Sequence, residues 1–295
     1  MVYNKDTTEY IEMVQTAITE EQMAAKLSLQ GLKLGFIGAG NMAESIVRGL
    51  TKSGILSPSS ILTASIFDDR VDLFRSMGVE IVKNNTQIVE RSDIVVVSVK
   101  PQIVKEVLLE VKPVIRPNHL LVSIASGIKL KTMQDWSGHG RLIRVMPNTP
   151  SAVSHGASVM CLGEEATDDD REKVGSIFGA IGKVWKDVKE ECFDGVTGLS
   201  GSGPAYIFLA IEAMADGGVA AGLPRDLALS LATQTVYGAA AMVRETGKHP
   251  GELKDSVASP SGTTIAAIRE LERGGFRGVL MNAVIASANR SRDLS

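Results

Sequence analysis

At 295 residues the chain is long enough for two modest domains of roughly 100–200 residues each. Its 44% apolar and 22% charged residues exclude a disordered or fibrous chain. A net charge of −3 leaves no electrostatic footprint for a phosphate backbone, and 4% aromatic residues supply no base-stacking platform, so nucleic acid is not an expected partner. Glycine is the informative excess: 29 residues against a usual ~7% of a chain, which points to places where backbone must come close to something. The two cysteines, Cys161 and Cys192, cannot form a disulfide framework and fit a reducing compartment. The four histidines, His119, His139, His155 and His249, have no metal-ligand spacing, so no metal is expected. No apolar run approaches the ~18–20 residues of a membrane span.

The first 30 residues are acidic rather than Arg-rich, unlike a targeting peptide. Ile11, Val14, Ala17 and Ile18 recur at helical spacing, so residues 1–30 read as a helical extension. From Leu32 onward short apolar runs alternate with helical stretches, the pattern of βαβ units around a parallel sheet. Strands are expected at Leu32–Ile37, Ile61–Ser65, around Glu80–Val82, Asp93–Ser98, His119–Ile124, Arg141–Met146, Ser158–Leu162 and Lys183–Val188. Helices are expected at Met42–Ser53, Arg70–Met77, Gln102–Val111, Leu130–Trp136 and Asp168–Ile181. Thr167 suits the cap of the last of these, and the run Asp168-Asp169-Asp170 reads as its solvated first turn.

Past about Asp194 the texture changes to Ala, Gly, Leu and Met at helical spacing. An all-helical domain is expected there, with helices at Gly203–Ala221, Arg225–Thr246, Pro250–Val257, Thr263–Gly274 and Phe276–Ser291. Several are apolar around much of their circumference, as at Ile207–Met214 and Leu227–Val236. About 100 residues cannot bury such helices alone, so packing between subunits is expected. The expected domains are thus an extension (1–30), an α/β dinucleotide-binding domain (31–192) and an all-α dimerisation and substrate domain (193–295).

The segment Ile37-Gly38-Ala39-Gly40-Asn41-Met42-Ala43 closes a strand and opens a helix with G-x-G-x-x-A spacing, the fingerprint of a Rossmann-type domain. Gly38 allows the tight turn, Gly40 lets backbone approach a pyrophosphate, and Ala43 lets helix and strand pack closely. The second strand ends at Ser65 with Arg70 soon after, which favours NADPH: Ser65 would donate a hydrogen bond, and Arg70 would meet a 2′-phosphate. Asp68 and Asp69 keep NADH as an alternative. Ligands of open α/β sheets sit beyond the carboxyl ends of the strands. Ser98, Val99, Lys100 and Pro101, together with Ile124, Ala125 and Ser126, would therefore line the nicotinamide half, and Asn85 the ribose.

The C-terminal half carries Val196-Thr197-Gly198-Leu199-Ser200-Gly201-Ser202-Gly203-Pro204-Ala205-Tyr206. Further on come Asp216-Gly217-Gly218, Gly222-Leu223-Pro224 and Val257-Ala258-Ser259-Pro260-Ser261-Gly262-Thr263-Thr264. This set closely resembles pyrroline-5-carboxylate reductase, from Leu32 to Leu294. The resemblance implies reduction of 1-pyrroline-5-carboxylate to L-proline by NADPH or NADH, the last step of proline biosynthesis. It also implies an oxidoreductase whose homodimers build a larger ring, a decamer; a cytoplasmic location is expected, with a plastid left open. It carries cofactor contacts onto Ile37–Met42, Ser65, Asn85, Ser98–Pro101 and Ile124–Ser126. Substrate contacts fall on Val257, Ser259, Gly262, Thr263 and Thr264. Ser256 stands where some relatives carry asparagine near the nicotinamide.

The residues themselves support this assignment. The turn Ser259–Gly262 feeds the free amides of a helix, a ready carboxylate site, and the Thr264 hydroxyl is placed to orient or protonate the imine nitrogen. Capping would explain Thr263 as well. A 3-hydroxyacid dehydrogenase or imine reductase of another substrate class, and a nucleotide-sensing binding protein, are the competing readings. The 253–264 segment argues against the first, and a complete second site argues against the other.

Overall fold

A computed structural model of the chain describes residues 20–293; the expected helical positions Ile11, Val14, Ala17 and Ile18 lie outside them. The described chain divides into two compact units, the first running through Val196 and the second spanning Thr197–Asp293.

The first unit is an α/β sandwich. In chain order it contains α1 (Glu20–Ser28), β1 (Leu34–Ile37), α2 (Asn41–Lys52), β2 (Ile61–Ala64), α3 (Asp68–Ser76) and β3 (Glu80–Ile81). There follow α4 (Asn85–Glu90), β4 (Ile94–Val97), α5 (Pro101–Val111), β5 (Leu120–Ser123), α6 (Leu130–Ser137) and β6 (Leu142–Met146). It closes with β7 (Gly156–Leu162), α7 (Asp168–Gly179), β8 (Gly182–Trp185) and the short α8 (Phe193–Val196). The eight strands lie in the order β3-β2-β1-β4-β5-β6-β7-β8, whose first six follow the doubly wound dinucleotide-binding arrangement. All neighbours pair in parallel except β6 and β7, where Val145 faces Met160.

Alternation along the strands explains the two cores. Leu34, Phe36, Ile94 and Val96 join Val122 and Ile143 on one face of the sheet; Ile37, Val95, Val97 and Leu121 turn to the other. Helix α1 packs against α7, and Leu29 just beyond it is buried in the first core. That much of the extension is therefore part of the α/β unit's packing.

Two details differ from expectation. Helix α4 was not foreseen because six residues are too few to show periodicity; Asn84 starts it, its Oδ1 accepting the Gln87 amide at 2.9 Å. The acidic run at 168–170 is not wholly solvated. Asp170 is fully buried, forms a reciprocal capping box with Thr167 and takes a two-pronged contact from Arg141, Nε at 2.8 Å and Nη2 at 2.6 Å.

The second unit is helical: a π-type turn at Thr197–Gly201, then α9 (Gly203–Ala220), α10 (Arg225–Thr246), α11 (Pro250–Ser256), α12 (Thr263–Arg273) and α13 (Phe276–Asp293). The glycine-rich Thr197–Gly203 stretch is a packing device here. A Cβ on Gly198 would meet the Val284 carbonyl oxygen of α13, and Tyr206 donates to the Gly198 carbonyl at 3.0 Å with the Ala283 carbonyl 3.3 Å away. Among the described residues this unit buries only Ala215, Ala228 and Ala232 as apolar side chains, while Phe208, Leu209, Leu227 and Leu231 stand exposed.

Candidate active site

The β1–α2 junction lies where the strand order reverses, with β2 on one side of β1 and β4 on the other. Strand β4 holds the junction directly. The Ser98 amide donates to the Ile37 carbonyl at 2.9 Å, and its hydroxyl reaches the carbonyls of Gly38 at 2.7 Å and Ile37 at 3.1 Å. Gly38 has φ +104, and a Cβ there would sit 2.8 Å from Val99 Cγ1 and 2.9 Å from the Ser98 carbonyl oxygen. Only glycine fits that turn. Gly40 is different: it is extended at φ −79, ψ −179, it is exposed, and a Cβ would approach nothing nearer than 4.0 Å. No side chain caps α2. Room beside Gly40 and an uncapped helix start together fit the pyrophosphate of a nicotinamide dinucleotide.

Around this loop Ile37 and Ala39 are buried, Asn41 is exposed and Met42 half-buried. Ser98, Val99 and Pro101 are half-buried, and Lys100 is exposed at the start of α5. Ala125 is buried between half-buried Ile124 and Ser126, its amide donating to Ser123 Oγ at 3.3 Å. Ser65 closes a local turn, its hydroxyl accepting the Phe67 amide at 3.1 Å. Asn85 Nδ2 donates to Glu110 at 2.8 Å.

Arg70 points into the fingerprint, its Nε donating to the Ala39 carbonyl at 2.6 Å and its Nη2 lying 3.0 Å from Glu44. Glu44, in the first turn of α2, also accepts from Arg48 at 2.8 Å. Burial would raise its pKa, but the hydrogen bonds and charges of Arg48 and Arg70 outweigh that and hold it below the ordinary 4.5. Sequence reasoning did not find Glu44; a lone acid in a helix's first turn looks like ordinary dipole complementation.

The helical unit carries its own candidate site. The Gly262 amide donates to the Ser259 carbonyl at 3.1 Å, closing the turn Ser259-Pro260-Ser261-Gly262, and Ser261 is left-handed at φ +57. Gly262 then starts α12 with no side-chain cap. A Cβ on Gly262 would meet the Ser259 hydroxyl. Val257, Ser259 and Thr263 are exposed and Thr264 half-buried. Ser256 bonds to the Leu253 carbonyl at 2.7 Å.

Comparison with known proteins identifies the family. A family model described as pyrroline-5-carboxylate reductase dimerisation matches residues 190–294. Another, described as NADP oxidoreductase coenzyme F420-dependent, matches residues 33–127. The chain is 61% identical over 262 residues to pyrroline-5-carboxylate reductase of Pisum sativum, covering 89% of this chain and 96% of that one. The Glycine max enzyme gives 62% over 263 residues with the same coverage. The chain belongs to the pyrroline-5-carboxylate reductase family. Among solved structures, the Coxiella burnetii reductase superposes with a TM-score of 0.83 at 37% identity, covering 90% of this chain and 98% of that one. The Plasmodium falciparum pyrroline carboxylate reductase, with NADP bound, gives 0.82 at 31% identity with the same coverage.

Membership makes the chain an oxidoreductase with a nicotinamide cofactor. Among the described residues no group of three or more His, Cys, Asp and Glu side chains could hold a metal ion. No described helix is long and apolar enough to cross a membrane.

Proposed function

We propose that this chain reduces 1-pyrroline-5-carboxylate to L-proline with NADPH as preferred reductant, as the last step of proline biosynthesis. The observation that carries the reading is the uncapped start of α12 at Gly262, behind a turn free of ionisable side chains, in a chain of this family. Free amides there hold the substrate carboxylate. Val257, Ser259, Thr263 and Thr264 border it, with the Thr264 hydroxyl hydrogen-bonded to the ring nitrogen. Residues Val257–Thr264 contain no His, Lys, Asp or Glu, so water delivers the proton to nitrogen while Thr264 orients the ring.

The cofactor, when bound, supplies the hydride to C5 of the imine. Ile37–Met42 hold its pyrophosphate end, Ser65 and Asn85 its ribose end, and Ser98–Pro101 with Ile124–Ser126 its nicotinamide end. Orientation is the protein's contribution. The NADPH preference is supported by Ser65, in place of an acidic residue, at the end of β2, and by the NADP bound to the Plasmodium falciparum relative. The assembly is a homodimer built into a decamer, and the compartment is cytoplasmic.

The test is initial rates with 1-pyrroline-5-carboxylate and each nicotinamide cofactor, with proline quantified and the mass of the intact assembly measured alongside. Proline formed faster with NADPH by a decameric species is expected; turnover of 3-hydroxy or 3-oxo acids instead would overturn the reading. Thr264→Ala with unchanged turnover and substrate affinity would remove the role given to that hydroxyl.

A further inference from the structure

Arg70 is expected from the sequence to meet a 2′-phosphate, yet its guanidinium already has protein partners on three sides. Nε donates to the Ala39 carbonyl at 2.6 Å, Nη2 lies 3.0 Å from Glu44 Oε2, and the group sits 5.5 Å from the centroid of the Phe74 ring. Phe74 is fully buried, and Glu44 is itself fixed by Arg48. Both acid and base are about four-fifths buried, with side chains 22% and 20% exposed. With Nε bonded to the Ala39 carbonyl and Nη2 buried in an ion pair with Glu44 that is not a well-aligned hydrogen bond, the guanidinium cannot offer a two-pronged face to a phosphate without giving these contacts up.

The contact with Ala39 has a directional consequence. The peptide joining Ala39 to Gly40 is trans and therefore planar, so its N–H points opposite to its carbonyl. By drawing the Ala39 carbonyl toward α3, Arg70 turns the Gly40 amide the other way and fixes the orientation of the peptide that leads into α2. Gly40 is the residue beside which the loop leaves open room.

We propose that Arg70 is a positioning residue for the pyrophosphate cradle: it acts through the Ala39–Gly40 peptide, is held in place by Glu44, and serves NADPH and NADH alike. This rests on the reading that the loop binds a nicotinamide dinucleotide, but not on which one is preferred. Specificity for the 2′-phosphate then falls to the Ser65 turn rather than to Arg70.

The experiment combines two measurements on the full chain, with Arg70→Ala and wild type compared. Hydrogen–deuterium exchange without cofactor reports the loop itself; faster exchange over residues 38–44, with the β4 and β5 strands unchanged, is expected. Calorimetric titration with NADPH and with NADH should show both dissociation constants rising by a similar factor, about tenfold for the loss of a charge-assisted contact. Arg70→Lys keeps the charge but reaches only one of the two partners, so it should give a smaller, equal loss; it decides the matter should Arg70→Ala not fold. A loss confined to NADPH, or affinities unchanged for both, overturns the proposal. Wild type binding NADH as tightly as NADPH removes the cofactor preference proposed above, while an equal loss in the variant would still support the role of Arg70. Wild type binding neither would remove the reading and this inference together.

Discussion

Arg144 and Glu190 form an ion pair at 2.9 Å between strand β6 and the segment that leads into α8. The arginine is almost wholly buried, with its guanidinium 4.5 Å from the Phe193 ring centroid, and the same Glu190 oxygen accepts the Leu130 amide at 2.7 Å. One carboxylate therefore satisfies a buried cation and an orphan amide at the start of α6. It also anchors the end of the loop that carries Ile124, Ala125 and Ser126. Burial, with Glu190's charge adding to it, pushes the nearby Cys161 thiol up to about 12, which leaves it protonated and unreactive at neutral pH.

Glu190→Ala should lower stability by about 3–5 kcal/mol, because it strands a buried arginine. The pair Arg144→Leu with Glu190→Leu should recover part of that loss, since it removes the stranded charge but still leaves the Leu130 amide without its acceptor. Urea unfolding of the three proteins checks both statements. A single variant no less stable than wild type would mean that water replaces the carboxylate.

Gly38 and Gly40 should separate folding from binding. Gly38→Ala forces a side chain into a positive-φ turn and against Val99 and the Ser98 carbonyl, so a loss of about 1–3 kcal/mol is expected along with cofactor affinity. Gly40→Ala meets open space at an ordinary φ of −79, and its stability should stay within about 0.5 kcal/mol of wild type. Its cofactor affinity should nevertheless fall at least about tenfold, because the new Cβ occupies room that a pyrophosphate needs. Thermal unfolding and calorimetric titration of the two variants give the contrast.

The fold was legible wherever local pattern and tertiary role coincide. Runs such as Ile94–Val97 are β-branched because both faces of a parallel strand are buried, and Gly38 and Gly40 mark their turn by spacing alone. What stayed hidden were contacts between distant residues. Nothing near Arg70 signals its bond to the Ala39 carbonyl 31 positions away, and nothing near Glu190 signals a strand residue 46 positions earlier. Helix α4 was missed for lack of length, although Asn84 followed by Gln87 is a usable start signal.

Asp170 should make the α/β unit acid-sensitive. Burial acts to raise its pKa, but hydrogen bonds from Arg141 and from the Thr167 amide and hydroxyl win, holding it below 3.8 in the folded chain. A carboxyl lowered on folding adds stability that is fully present above its unfolded value. That stability is lost as pH falls through the lowered folded value, because the unfolded chain takes up the proton first. Asp170→Asn should therefore cost about 3 kcal/mol at neutral pH and flatten the fall in stability below pH 4, as read by urea midpoints at successive pH values. An unchanged acid limb would assign the sensitivity to other carboxylates.

The helical unit gives the sharpest assembly prediction. Its buried apolar side chains among the described residues are three alanines, whereas Phe208 and Leu209 on α9 are 63% and 67% exposed. Burying a leucine contributes roughly 1.5–3 kcal/mol, so a face of several such residues favours a dimer over separate chains. Leu209→Glu places a charge where a second copy is expected to pack, and ionised carboxylates are expensive to bury. Light scattering at micromolar concentration should then report monomers, with proline formation down at least about tenfold because the family's dimerisation unit is unpaired. Cofactor binding should survive, since the Gly38–Met42 loop belongs to the other unit. A dimer that persists with full turnover would show that α9 is not the face through which copies meet.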